Sequence, residues 1–85
     1  MAKETSPARK AFVEEFGMAV RRRRGEINLS QEELADKSDI HRTQISLIEL
    51  GKNEIKVGAL PCLTDALKLP MHVFIKRITD KVNPK

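Results

Sequence analysis

One cysteine and two histidines are the first side chains to consider for a nucleophilic or metal-binding site. The 85-residue chain has Cys62, His41 and His72. A cysteine nucleophile needs a histidine base beside it, and a zinc site needs several ligands at short, regular spacing. These three residues are well separated and lack acidic residues at ligand spacing. We therefore expect no catalytic residues, no metal and no cofactor, and an enzyme is disfavoured.

Four consecutive arginines at positions 21–24 are the second chemically distinctive feature. They are compatible with DNA phosphate contacts, with an anionic membrane surface, or with a solvated helix end that the helix dipole stabilises. Residues 1–25 carry a net charge of +4, residues 26–55 of −4 and residues 56–85 of +4. A surface for a polyanion would therefore have to be assembled from two basic ends around an acidic middle.

Length and composition indicate one small domain. A chain of 85 residues buries only about 60% of its unfolded surface, so stability is marginal and a partner chain is a natural supplement. A lone cysteine fits a reducing compartment, and no apolar run is long enough to span a membrane. The chain has three phenylalanines and no tryptophan or tyrosine, which argues against a stacking platform for single strands.

Helical periodicity recurs in five segments, and no segment alternates as a strand would. Ser30 followed by Glu33 is a capping box, which predicts the start of the second helix. Ser38-Asp39 interrupts that helix after about two turns, and Gly51 is suited to a left-handed cap at the end of the third. Two short helices joined by a tight turn are typical of a helix-turn-helix module.

Residues 31–51 read QEELADKSDIHRTQISLIELG. This string resembles the DNA-binding domain of the Cro and phage-repressor (XRE-type) helix-turn-helix family, and the similarity extends over roughly residues 16–75. The matching positions are Leu34, Ala35, Ile40, Ile45, Ser46, Ile48, Glu49 and Gly51. A narrower similarity, in HRTQIS and the Lys52-Asn53 loop, is to controller proteins of restriction-modification systems. The resemblance implies an all-α, compact five-helix fold like that of lambda repressor.

The resemblance also implies a domain organisation. We expect a flexible N-terminal arm over residues 1–7 and a DNA-binding domain over residues 8–78, with a polar C-terminal tail over residues 79–85. Within the domain, helix two would span residues 31–37 and the recognition helix residues 41–50. The protein would act in the cytoplasm of a bacterial or phage-type system, associated with the nucleoid and not with a membrane.

The third helix is the proposed reader of bases. Arg42, Thr43, Gln44 and Leu47 fall on faces that the core does not need. Arginine can donate two hydrogen bonds to guanine O6 and N7, and glutamine can contact adenine or a phosphate. The methyl groups of Thr43 and Leu47 can contact thymine. The alternative is an ordinary solvated helix face.

Phosphate contacts are expected around this reader. The resemblance assigns a phosphate contact to Gln31, at the start of helix two, and another to Arg21. Lys52 and Asn53 could reach the same strand or form a solvated loop, and Ser46 could donate to a phosphate or to its own helix.

Two other arginines of the basic run have expected roles. The resemblance implies a structural ion pair between Arg24 and Glu49, which would tie the first helix to the reading helix. Arg23 replaces a usually apolar residue of the family, and we expect it to be a solvated cation near the DNA.

The function implied is that of a sequence-specific double-stranded DNA-binding transcriptional regulator, most simply a repressor. A homodimer on a palindromic operator is expected, because one reading helix covers too few base pairs for selectivity. The fifth helix is the candidate dimer surface, through Met71, Phe74, Ile75 and Ile78. Two alternatives stay open: an antitoxin-like interaction module that holds a protein partner through its tails, and a non-specific nucleic-acid binder.

Overall fold

The computed structural model describes residues 6–83, which form five α-helices and no strand. This architecture confirms the prediction of an all-α, five-helix domain. A single 3₁₀ turn, Val57–Ala59, leads into the fourth helix. The helices are α1 (Pro7–Glu26), α2 (Gln31–Ser38), α3 (Arg42–Glu49), α4 (Leu60–Ala66) and α5 (Met71–Val82).

The chain ends differ in part from the expected arm and tail. Most of the arm expected over residues 1–7 lies outside the described residues, but Pro7 is already the first residue of α1. Ser6 caps that helix, its hydroxyl accepting a hydrogen bond from the Arg9 amide at 3.1 Å. The tail was predicted to begin at residue 79, which is wrong, because α5 continues to Val82. Residues 84 and 85 lie outside the described part.

The core is a single apolar cluster to which all five helices contribute. Phe16 of α1 packs edge-on against Phe74 of α5, with ring centroids 5.3 Å apart, so the two longest helices meet through their aromatic rings. Seven of the core side chains are completely shielded from solvent: Val20, Leu34, Ile45, Leu63, Leu67, Phe74 and Ile78. This cluster fixes the angles at which the short α2 and α3 are held.

Helix α1 approaches α3 unusually closely at Gly17. A Cβ atom at this position would overlap the carbonyl oxygen of Ile48 and lie 2.9 Å from that of Glu49. Gly17 is buried, and its missing side chain lets the α1 backbone rest directly on the last turn of α3. The orientation of the third helix therefore depends on this glycine.

Arg23 corrects the expectation of a solvated cation near the DNA. Its Nε donates to the Leu67 carbonyl at 2.8 Å and its Nη2 to the Lys68 carbonyl at 2.9 Å, both at the end of α4. Helix ends leave such carbonyls without intrahelical partners, and a guanidinium is a suitable donor for them. Arg23 thus joins α1 to the end of α4.

Glu26 links α1 to α5 through Arg77 and is also bonded to Arg23 of its own helix. Its Oε1 accepts hydrogen bonds at 3.0 Å from Arg77 Nη1 and from Arg23 Nη1. These bonds, with that of Arg77 first, lower the pKa of Glu26 below its ordinary value. A carboxyl with a lowered pKa contributes stability above its unfolded-state pKa, and this contribution is lost as the pH falls through the folded-state pKa.

We therefore expect Glu26→Gln to lower the melting temperature at neutral pH and to have little effect in acid. The difference between variant and wild type should shrink as the pH is lowered from neutral through the lowered pKa of Glu26, because the wild-type carboxyl is then protonated as well. Thermal unfolding followed by circular dichroism across this range measures it. An equal difference at every pH would show that the ionised carboxylate does not stabilise the contact between α1 and α5.

Candidate nucleic-acid interface

The turn between α2 and α3 is set by local chemistry. Ser30 and Glu33 form the reciprocal capping box that starts α2, and these hydrogen bonds lower the pKa of Glu33. Asp39 ends the helix with a φ of 59°, a left-handed conformation that aspartate tolerates better than most residues. The next residue, Ile40, is buried, and its amide donates to the Ser38 hydroxyl. The turn is thereby anchored to the core.

The exposed start of α3 carries the residues predicted to read bases. Arg42 and Thr43 are exposed, whereas Gln44 and Leu47 are half-buried. Ile45 and Ile48 of the same helix are buried, so the expected division of the helix into core and solvent faces is present. The helix spans residues 42–49, one residue shorter at each end than the predicted 41–50.

His41 has a capping role that the sequence did not reveal. Its Nδ1 accepts a hydrogen bond from the Thr43 amide at 3.1 Å. Histidine is not among the usual capping residues, so residue type gave no indication of this contact. An accepting Nδ1 requires the neutral ring to carry its proton on Nε2. The ring therefore holds the first turn of the reading helix and keeps one N–H group for other contacts.

Three predicted phosphate-binding residues meet at one pocket. Arg21 from α1, Gln31 from α2 and Ser46 from α3 line a depression of about 220 Å³, together with Arg24, Glu49 and Leu50. Guanidinium, amide and hydroxyl groups are all donors that can bind phosphate oxygens. The fold thus brings together, from three helices, side chains that are distant in sequence. We name this depression, defined by Arg21, Gln31 and Ser46, the donor pocket.

Arg24 and Glu49, which also line the donor pocket, form an ion pair. Arg24 donates through Nε and Nη2 to the two Glu49 carboxylate oxygens, at 2.7 and 3.0 Å. This bonding raises the pKa of Arg24 above its ordinary value. The Glu49 side chain is only 4% exposed, so its charge is balanced within the protein. The forked geometry is the strongest form of such a pair.

Glu49 also orients the proposed phosphate ligand Gln31. The Gln31 Nε2 donates to Glu49 Oε1 at 3.0 Å. One amide hydrogen is thereby used, while the second hydrogen of the same nitrogen is left for another acceptor. The ion pair connects α1 and α3, and through Glu49 it also holds Gln31 of α2, which lines the donor pocket.

Lys52 and Asn53 are exposed but are not part of the donor pocket. They line a separate depression with Lys10, Val13 and Glu54, beyond the end of α3. Their assignment as phosphate ligands therefore requires a DNA strand that extends past the end of the reading helix.

The residues considered for catalysis are not brought together. Cys62 and His72 are exposed on α4 and α5. Among residues 6–83, no three histidine, cysteine or acidic side chains are grouped to hold a metal ion. Within the same range, no helix is long and apolar enough to cross a bilayer.

The helix-turn-helix geometry is matched by a family model. The model described as helix-turn-helix aligns with residues 20–74, which is well over half of the chain. The chain belongs to the helix-turn-helix family. This membership confirms the predicted Cro and phage-repressor resemblance and the prediction of a DNA-binding transcriptional regulator. A search of curated proteins found no match.

Solved structures of bacterial regulators are similar to most of the described domain. The restriction-modification controller protein C.Esp1396I, solved as a tetramer in complex with its natural 35-base-pair operator, has 25% identity and a TM-score of 0.77 over 84% of this chain and 93% of its own. The controller protein C.AhdI from Aeromonas hydrophila has 28% identity and a TM-score of 0.72, over 75% and 97% of the chains. These relatives confirm the narrower similarity to controller proteins.

A further solved structure with a similar fold is not a controller protein. The clp gene regulator ClgR from C. glutamicum is 22% identical, with a TM-score of 0.78 over 87% of this chain and 96% of its own. At this identity the likeness concerns the fold alone.

The candidate dimer surface on α5 needs correction. Phe74 and Ile78 are completely buried in the protein's own core and cannot contact a second chain. Ile75 is half-buried and Met71 is 37% exposed. An amphipathic stripe shows that a helix buries one face, but it does not distinguish burial in the core from burial against a partner. Two of the four predicted dimer residues therefore serve the fold.

Proposed function

We propose that the protein is a transcriptional repressor that binds a palindromic operator as a homodimer, without enzymatic activity. The observation that carries this proposal is the donor pocket, which Ser46 and Glu49 in the second half of α3 line together with residues of α1 and α2. Helix α3 thereby carries exposed candidate base-reading side chains, Arg42 and Thr43, at its start, and contributes Ser46 to the phosphate donors Arg21 and Gln31. Its site of action would be operator DNA in the cytoplasm, on the nucleoid.

Base reading is assigned to the exposed end of α3. An α-helix fits the major groove, where arginine can donate two hydrogen bonds to guanine O6 and N7. Arg42 is the proposed guanine contact, and the Thr43 and Leu47 methyl groups are proposed to contact thymine. Gln44, which is half-buried, would contact adenine or the adjacent phosphate.

Phosphate binding is assigned to the donor pocket. Its donors are arranged around the Arg24 to Glu49 pair, whose opposite charges balance each other. The positive charge at the pocket is therefore supplied by Arg21, while Gln31 and Ser46 add neutral donors. Contacts of this kind set the register of the protein on DNA without reading its sequence. Lys52 and Asn53 are proposed as additional contacts beyond the end of α3.

Selection of binding sites from a random duplex pool tests the proposal. We expect an enriched palindrome whose half-sites are about one helical turn apart, or 34 Å. Enrichment of no sequence would support a non-specific nucleic-acid binder instead. Binding to a single asymmetric site by one copy would contradict the homodimer.

Arg42→Ala and Arg21→Ala should weaken DNA binding in different ways. Arg42→Ala is expected to lose about 1–3 kcal/mol at the selected site and to relax the preference at one base pair. Arg21→Ala should weaken all sequences alike and reduce the slope of log affinity against log salt by about one. Fluorescence anisotropy at several salt concentrations measures both effects.

Arg22→Ala is the matched control, because Arg22 is exposed on the same helix and does not line the donor pocket. It should change affinity less than Arg21→Ala. Equal losses from Arg21→Ala and Arg22→Ala would mean that general positive charge, and not the donor pocket, binds the phosphates.

A further inference from the structure

The first turn of α3 is held by a hydrogen bond from the residue that caps it. His41 has a non-helical backbone, with φ −58° and ψ 142°, and its carbonyl oxygen accepts a helical hydrogen bond from the Ile45 amide at 3.0 Å. Its ring Nδ1 accepts from the Thr43 amide. No acidic residue occurs in this first turn, over residues 42–45, whereas α2 begins with two. The His41 ring therefore compensates the positive start of the reading helix.

We infer that His41 is a positioning residue for base reading, and that protonation of its ring weakens the selection of the operator sequence at acid pH. The inference rests on the proposed function, because it concerns the base contacts assigned to Arg42 and Thr43. It adds a residue that acts through these two readers, and a dependence of sequence selectivity on pH.

Only the neutral ring can form this cap. The Nδ1 atom accepts through its lone pair, and a protonated imidazole carries a hydrogen on both nitrogens and can accept through neither. A positive ring would also lie against the positive end of the α3 dipole. Histidine is the side chain that ordinarily changes charge between about pH 5 and 8. The cap is therefore present while the ring is neutral, and it is lost as the pH falls and the ring gains a second proton.

A charged ring would have carboxylates nearby. The depression that His41 lines is also lined by Glu32 and Asp36 of α2, Asp39 of the turn and Arg42 of α3. These facing groups carry three negative charges against one positive charge. None of the three carboxylates forms an ion pair with another residue in the described range 6–83. The protonated ring therefore has acceptors on α2 and in the turn, in place of the α3 amide from which it can no longer accept.

Release of the cap acts on the two exposed readers at the start of α3. Arg42 and Thr43 are the first two residues of the helix, and the capped amide belongs to Thr43 itself. A helix of eight residues is held together by its contacts with the rest of the protein. Because Ile45 and Ile48 are buried in the core, loss of the cap loosens only the first turn. The readers then lose their fixed direction while the fold is kept.

Specific and non-specific DNA binding should therefore respond differently to pH. The end of α3 contributes Ser46, Glu49 and Leu50 to the donor pocket, so phosphate binding does not require the capped first turn. A protonated ring also adds a positive charge, which favours binding to any DNA. As the pH falls, the affinity for an unrelated duplex should not decrease, while the preference for the selected palindrome should.

The ratio of affinities for the selected palindrome and for a scrambled duplex tests the inference. Fluorescence anisotropy at constant salt measures it at about pH 8 and about pH 5.5. The wild-type ratio should be about fivefold smaller at the acid pH, the factor that corresponds to loss of a helix cap. His41→Asn should keep the full ratio at both pH values, because asparagine is among the best capping residues and does not titrate. His41→Ala should show the reduced ratio at both.

His72→Ala is the matched control, because His72 is the other histidine of the chain and is exposed on α5. It should keep the wild-type response to pH. Circular dichroism checks that every variant is folded at both pH values. A wild-type ratio that does not change with pH would overturn the inference, and so would a pH response that His41→Asn retains or that His72→Ala abolishes.

The free protein gives a measurement that does not depend on the operator. Backbone ¹⁵N relaxation should show the Arg42 and Thr43 amides to be as rigid as the interior of α3 at about pH 8, and more mobile at about pH 5.5. In His41→Asn they should be rigid at both. A selected palindrome together with a first turn that stays rigid in the wild type at both pH values would overturn the inference and leave the repressor proposal standing. Selection of no palindrome would overturn both, even where the turn loosens.

Discussion

The Gly17→Ala variant is expected to lose much of its folding stability. The added methyl group would overlap the Ile48 carbonyl oxygen and lie 2.9 Å from the Glu49 carbonyl oxygen, and both atoms belong to backbone that cannot rotate away. Helix α1 would have to move off α3, separating the Phe16 and Val20 side chains from the core. Overpacking of this kind costs about 3 kcal/mol or more where the neighbouring atoms cannot shift.

Gly25→Ala is the matched control for this prediction. Gly25 lies in the same helix, is exposed, and has no atom within 4 Å of an added Cβ. Alanine there should stabilise the protein by about 0.5–1 kcal/mol through its better helix propensity. Urea unfolding of both variants measures the difference. If Gly17→Ala were as stable as the wild type, the close contact between α1 and α3 would be refuted.

The second large effect is expected at the ion pair between Arg24 and Glu49 in the donor pocket. Arg24→Met would leave the Glu49 carboxylate, only 4% exposed, with Gln31 as its remaining side-chain donor. Loss of one partner of a buried pair costs about 3 kcal/mol or more, because the other charge stays buried without compensation. In a domain of this size that loss should lower the melting temperature by roughly 15 °C.

A double variant distinguishes a buried charge from lost packing. Arg24→Met combined with Glu49→Leu removes both charges, so it should be more stable than Arg24→Met alone. DNA affinity should not recover in parallel, because Gln31 still lacks the carboxylate that holds its amide. If the single Arg24→Met variant were as stable as the wild type, the pair would not join α1 to α3 energetically.

Features encoded within a few residues could be predicted from the sequence. The capping box at Ser30 and Glu33 was predicted from two residues three positions apart and is present. Gly51 ends the third helix with a φ of 73°, as its residue type indicated. The apolar stripes predicted five helices because burial on one side of a helix imposes its own period. Such features depend on neighbours in the chain.

The residues of the candidate site could be predicted from the sequence, but their arrangement in space could not. Arg21, Gln31 and Ser46 were proposed separately, and the donor pocket that unites them depends on the packing of three helices. The role of Arg23 was missed because its acceptors, the carbonyls of Leu67 and Lys68, are more than forty residues away. The His41 cap was missed because histidine seldom has this role.

The sequence by itself determined the helices, their caps, the helix-turn-helix pattern and the residue types of a DNA-binding surface. Only the tertiary structure decided which apolar residues of α5 the core buries and which apolar residues stay exposed. It buried Phe74 and Ile78 and left Val57 exposed beside an apolar groove. The physical reason is that helical periodicity specifies which face of a helix avoids water, whereas the neighbour that covers that face depends on the packing of every other helix.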